Sequence, residues 1–155
     1  MICVNCGGTI ELDENCPDCG IGYREMLDKV RHPEMRRLFK KLKDLDKKHK
    51  RSEIDESLLV CELTNSTLIT AAKVEGDGFN LAYAHEKRGG DLLILCTDME
   101  EFGQFEEIGL TPLIMSWGSM LTFLEGDAGV VINMSDECCI LKREFLESFF
   151  SDESP

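Results

Sequence analysis

Four cysteines open the chain as two pairs, Cys3-Val4-Asn5-Cys6 and Cys16-Pro17-Asp18-Cys19, with nine residues between them. Thiols three residues apart can turn both sulfurs toward one point. Two such turns supply four thiolates, the number and kind of ligand that zinc accepts at tetrahedral corners. Gly7 and Gly20 follow the second cysteine of each pair. Glycine there lets the backbone fold beneath a metal, where a positive φ is often needed. Pro17 suits a tight turn between two ligands. The expectation is a structural zinc site made by Cys3, Cys6, Cys16 and Cys19, with iron as the alternative ion. Four thiolates leave no open position for water, so catalytic zinc is not expected. A secreted disulfide module normally follows a signal peptide, for which Met1-Ile2 leaves no room. A thioredoxin-like pair needs a βαβ context that is absent around these cysteines. Ile2, Val4, Ile10, Leu12 and Ile21 are too few for a core, so metal binding is expected to drive the folding of this segment.

Other chemistry is sparse. The three histidines, His32, His49 and His85, are scattered, and His85-Glu86-Lys87-Arg88 lacks the second histidine of a metalloprotease motif. Gly76-Asp77-Gly78 and Gly89-Gly90 are not followed by Gly-Lys-Ser/Thr, so neither is a phosphate loop. No Gly-x-Ser-x-Gly elbow occurs. Glu100-Glu101 and Glu106-Glu107 read as helix-end charges. Cys61 and Cys96 lie in apolar runs and read as reduced core thiols. Cys138 and Cys139 are adjacent on an expected strand and should face opposite ways, with a vicinal disulfide or reactive thiol as the alternative. Trp117 and the phenylalanines read as core. No catalytic constellation emerges, and the chain is not expected to be an enzyme.

The elements that must position these groups follow from composition and pattern. The chain has 155 residues, 43% of them hydrophobic, and a net charge of −13. That allows one domain of about 100 residues and a small appendage. The charge is divided unevenly. Residues 1–51 hold 12 Lys/Arg and 9 Asp/Glu, a balance of +3, and residues 52–155 hold 5 and 21, a balance of −16. An acidic body argues against nucleic acid on its surface. No apolar run is long enough to span a membrane. Free thiols fit a cytoplasmic location.

Tyr23 to Val30 reads as a short helix or connector. Pro33 opens a helix running to about Arg51, with a stripe of Met35, Leu38, Leu42 and Leu45 beside Phe39. Its other faces are cationic, so it reads as a helix docked on the acidic body, or as an arm for a polyanion across residues 36–51. Residues 53–64 carry Ile54, Leu58, Cys61 and Leu63 at helical period. Strands are expected at Thr67–Val74, Phe79–Glu86 and Asp91–Cys96 as a central meander, with turns at 76–78 and 87–90. Thr97 and Glu100 suggest a capping box at the start of a short helix. A strand at Pro112–Trp117, a helix at Ser119–Glu125, strands at Val130–Asn133 and Cys138–Leu141 and a helix over Lys142–Phe150 complete the pattern. The tail Ser151–Pro155 is expected to fray. The fold class is α+β: a mixed, mostly antiparallel sheet with packed helices. The expected division is 1–22 zinc ribbon, 23–51 basic helical linker, 52–150 main domain and 151–155 tail.

Two resemblances bear on this reading. The pattern C-x-x-C-G…C-x-x-C-G resembles the short zinc ribbons that precede many prokaryotic domains, a likeness covering about the first 20 residues. The stretch LLILCTDMEEF followed by TPLIMSWGSMLTFLEGDAGVVINMSDECCILKREFLESFF resembles the N-terminal domain of the SseB family (enhanced serine sensitivity protein B). It rests on element order, on Thr97 and Gly129 and on the strand Val130–Asn133, and it covers about residues 53–150. Met134 stands where the family commonly has proline. The resemblance implies an interaction or regulatory module without catalytic residues, binding an unidentified protein partner; nucleic acid is the alternative partner. Asn133 and the loop Met134–Glu137 are the candidate contact residues.

Overall fold

The computed structural model describes residues 6–8, 14–48, 52–76, 78–85, 90–135 and 138–150. Cys3, the helix end at 49–51, the turn residues 87–89 and the tail 151–155 lie outside them. The described chain is an α+β fold. Helices α1 (Tyr23–Lys29), α2 (Pro33–Lys47) and α3 (Glu53–Thr64) precede strands β1 (Thr67–Glu75), β2 (Gly78–Leu81), β3 (Tyr83–His85) and β4 (Asp91–Cys96). Then come α4 (Met99–Glu106), β5 (Thr111–Ser116), α5 (Trp117–Phe123), β6 (Gly129–Ile132), β7 (Cys139–Leu141) and α6 (Arg143–Phe150).

The strands form one seven-stranded sheet in which every pairing is antiparallel except β4 with β6. β1 is its longest strand and pairs with β5 along one side. On the other side it pairs with β4 at Ile69 and Thr70 and with β2 from Ala72 to Glu75. The expected strand Phe79–Glu86 is broken at Ala82. β2 follows β1, β3 turns back along β4, and the pair fills a fork where β1 and β4 separate. Ala82 is the apex: its N–H donates to the Ala71 carbonyl and its carbonyl accepts from Ile94 N–H. The simple meander of the sequence reading is therefore corrected to a wedge.

Side chains alternate across a strand, and both faces of this sheet are buried. Ile69, Ala71, Leu92, Ile94, Cys96, Ile114 and Val131 face one way, under α1 and α4. Leu68, Leu93, Leu95, Val130, Ile132 and Leu141 face the other way, under α2, α3, α5 and α6. Each fully buried aliphatic side chain contributes about 1.5–3 kcal/mol. The α2 stripe seats Met35, Phe39 and Leu42 on the second face. α1 packs Tyr23, Met26 and Leu27 on the first. The chain therefore passes from one face to the other between Val30 and His32, where His32 Nε2 sits 2.5 Å from the Thr67 carbonyl oxygen.

Several boundaries differ from expectation for local reasons. α4 is capped by Asp98, whose carboxylate accepts from Glu101 N–H at 3.0 Å, and not by Thr97. α5 starts at Trp117 because Ser116 caps it, accepting from Ser119 N–H. α3 buries Asp55, Leu59 and Leu63, and leaves Ile54, Leu58 and Cys61 on its open side. Cys61 is thus a surface thiol. The helical period was right, but the row at 55, 59 and 63 faces the sheet, aided by the Ser52–Asp55 capping box.

Two glycines make a paired test of packing. A Cβ on Gly129 would lie 2.4 Å from the Leu141 carbonyl oxygen and 3.1 Å from Leu92 Cδ2, whereas one on Gly118 would meet nothing within 4 Å. Gly129→Ala is expected to lower stability by about 1–3 kcal/mol through forced displacement of β7. Gly118→Ala, inside α5, is expected to be neutral or to stabilise by up to about 1 kcal/mol. Urea unfolding midpoints of the two variants measure the difference.

Candidate metal centre

The turn carrying the second cysteine pair is held by backbone hydrogen bonds. Gly20 N–H donates to the Cys16 carbonyl and Cys16 N–H to the Ile21 carbonyl, both at 2.8 Å. Gly7 and Gly20 take positive φ, 81° and 77°, the conformation their position after each pair requires. Gly8 lies where the two turns close on one another: a Cβ there would come 2.1 Å from Asp18 Oδ2, the end of a side chain that would have to swing aside.

This closure brings Cys6, Cys16 and Cys19 together, with their sulfurs all within 4.8 Å of one another. Cys6 Sγ and Cys16 Sγ are 3.6 Å apart. A disulfide has its sulfurs about 2.04 Å apart, well short of this separation. Thiolates placed about 2.3 Å from a shared tetrahedral ion stand roughly 3.8 Å from each other. The donor set therefore fits a thiolate-bound metal ion. Cys3 lies outside the described residues.

The cluster is joined to the body. Cys16 is 2% exposed and packs with Ile21, Tyr23 and the sheet residues of the first face. The Tyr23 hydroxyl donates to the Pro112 carbonyl of β5. Cys6 and Cys19 are exposed. Of these three, one is thus rooted in the core while two face outward.

The remaining candidates fall elsewhere. Cys96 is fully buried at the end of β4, and burial, aided by the nearby Glu101 and Asp98 carboxylates, pushes its thiol up to about 12. It is inert as a nucleophile at neutral pH. Cys139 is buried and Cys138 half-buried beside it. His85 is exposed on β3, its Nδ1 2.6 Å from Asp91 Oδ1. Asn133, expected as a contact residue, is completely buried and is corrected to a structural one. It takes φ 60°, donates from its backbone to the Leu95 carbonyl, accepts from Thr97 N–H at 2.9 Å and donates to Thr97 Oγ1 at 3.0 Å. Beside it Met134 and Ser135 are exposed, and residues 136–137 lie outside the described ones.

Arg36 was missed by the sequence reading, which counted it among the solvated cations. Its guanidinium reaches Asp98 Oδ2 at 3.1 Å and Glu101 Oε1 at 3.0 Å, tying α2 to the start of α4. Only its position off the apolar stripe, on the side away from Arg37, hinted at a separate task. It lines a cleft of about 460 Å³ with Val30, His32, Pro33, Asp98 and Glu100. The Arg36 guanidinium is matched there by carboxylates, while Arg31, which also lines the cleft, donates from its Nε to the Asp28 carbonyl at 3.1 Å. Set against known proteins, the chain matches no family model, no curated protein and no solved structure. Among the described residues, no helix is long and apolar enough to cross a membrane.

The Cys96 thiol makes a pH signature. Its folded pKa is raised above the value of about 9 that an open thiol has, so its protonated form stabilises the fold below that pH. Stability is lost as pH rises from about 9 toward 12, with a slope of up to ~1.4 kcal/mol per pH unit. Urea midpoints of the natural chain and of Cys96→Ala, measured between pH 7 and pH 10.5, are expected to converge as pH rises.

Proposed function

We propose that this chain is a non-catalytic, cytoplasmic protein-interaction or regulatory module stiffened by a structural zinc ribbon. The convergence of three thiol sulfurs on one point carries the reading. The sequence offers Cys3 as a fourth thiolate, and an all-sulfur set of four favours zinc over harder cations and leaves no position for substrate. Residues 52–150 then act as the docking body, the role that the resemblance of this stretch to the SseB N-terminal domain implies. The nucleic-acid reading draws less support, because Arg36 and Lys41 of the basic helix already face carboxylates. Exposed Met134 and Ser135, carried on the rigid Asn133 corner, are the contact residues of choice.

Elemental analysis of the purified chain is expected to find one equivalent of zinc. Chelation is expected to lower stability by about 3 kcal/mol or more when the free ion stood roughly a hundredfold above its dissociation constant. Cys6→Ser should cost metal and stability together, and Cys61→Ser neither. Less than half an equivalent of any metal ends the zinc reading. For the interaction reading, crosslinking in cells followed by affinity capture should recover a protein partner that Met134→Asp releases. A low-salt gel shift that retards nucleic acid, with no such partner, transfers the assignment to the alternative.

A further inference from the structure

The sulfur cluster is uneven. Cys6 and Cys19 are exposed, whereas Cys16 is 2% exposed and packs in the cluster that holds Ile21, Tyr23, Met26 and Leu27. Cys6 Sγ and Cys16 Sγ stand 3.6 Å apart and belong to different turns. A sulfur on a solvent-facing residue is thus set beside one on a buried residue. The thiolate, and not the thiol, is the nucleophile toward an oxidant. A sulfur that binds zinc is held in that form. The other described thiols lack this pairing of access with a close partner from another turn. Cys96 and Cys139 are buried and Cys138 is half-buried. Cys61 is exposed, but α3 carries no second cysteine.

We infer that the ribbon is a peroxide-responsive switch: Cys6 is the sulfur attacked, Cys16 closes a disulfide with it, and the ion is released. The inference rests on the zinc reading above. The Cys6 thiolate attacks one oxygen of hydrogen peroxide. The O–O bond breaks, Cys6 becomes a sulfenic acid and hydroxide leaves. The Cys16 thiolate then attacks the Cys6 sulfur. The S–S bond forms, the S–O bond breaks and a second hydroxide leaves. Two thiolates have together lost two electrons, and the peroxide has gained them. With two ligands consumed, the ion passes to solvent. The body is built to stay in place meanwhile. Met26 and Leu27 of α1 are buried in the first face, and the Tyr23 hydroxyl donates to the Pro112 carbonyl. None of these contacts involves a sulfur ligand. Oxidation therefore alters the contact surface ahead of Ile21 and leaves the docking body folded.

Excess hydrogen peroxide added to the zinc-loaded chain tests the switch. A metallochromic dye is expected to register loss of the whole equivalent of zinc, while Trp117 fluorescence and the far-UV circular dichroism of the body hold. Peptide mapping without reduction is expected to find Cys6 joined to Cys16. A phosphine reductant with added zinc should restore thiols and metal together. Cys61→Ser should release its ion at the natural chain's rate, and a slowed release in that variant places the oxidation elsewhere and overturns the inference. Zinc retained under peroxide overturns it and leaves the zinc reading standing. So does release with Cys6 joined to another cysteine, or with Cys6 carried on to the sulfinic acid. Unfolding of the body along with release overturns it as well. A purified chain that binds no metal removes the zinc reading first, and this inference with it.

Discussion

Both sides of a single sheet have to be kept dry here, and most of the architecture answers that demand. Strands β4 and β6 are apolar at every position between Leu92 and Cys96 and between Val130 and Ile132. Strands of this kind need cover above and below. The acidic body supplies α4 for one side and α3, α5 and α6 for the other, and this is not enough. Met26 and Leu27 of α1 and Met35, Phe39 and Leu42 of α2 complete the two layers. The basic segment is therefore bound by its apolar stripe, and its cations are left to meet carboxylates at the margins.

The end of the parallel pair shows how polar groups are handled inside this arrangement. In open α/β sheets the carboxyl ends of parallel strands are where ligands collect. Here that end is filled from within. Asn133 turns in the left-handed region, which asparagine tolerates better than most residues, and its amide serves Thr97 on the neighbouring strand. Asp98 then caps α4 and meets Arg36 from across the sheet. Backbone groups that would otherwise be stranded are matched in sequence, from β6 to β4 to α4 to α2.

Much of this was legible in the residues. The thiol spacing and the glycines after each pair placed Cys6, Cys16 and Cys19 together, because a short turn fixes its own geometry. The stripe of α2 and the buried run Leu92–Cys96 were equally plain, since period and hydrophobicity agree there. The face of α3 was not. Ile54, Leu58 and Cys61 look like a core row, and only the capping box at Ser52, with the pull of Leu59 and Leu63, decides against them. The break at Ala82 left no local mark either: alanine permits it, and the fork between β1 and β4 imposes it. Arg36 and Asn133 were read as surface groups because their partners are distant in sequence.

The strap of three residues between α1 and α2 has a consequence for how the molecule is made. The seats for the first two helices are built from residues 68–132, which leave the ribosome later. For this segment the order of synthesis and the order of assembly are reversed, and about fifty residues emerge with nowhere to lie. The sulfur cluster is the exception, because its members sit within fourteen positions of each other and can gather before any strand exists. An ion caught at that moment would hold Ile21 and Tyr23 at the mouth of the first helix, ready for the sheet when it arrives.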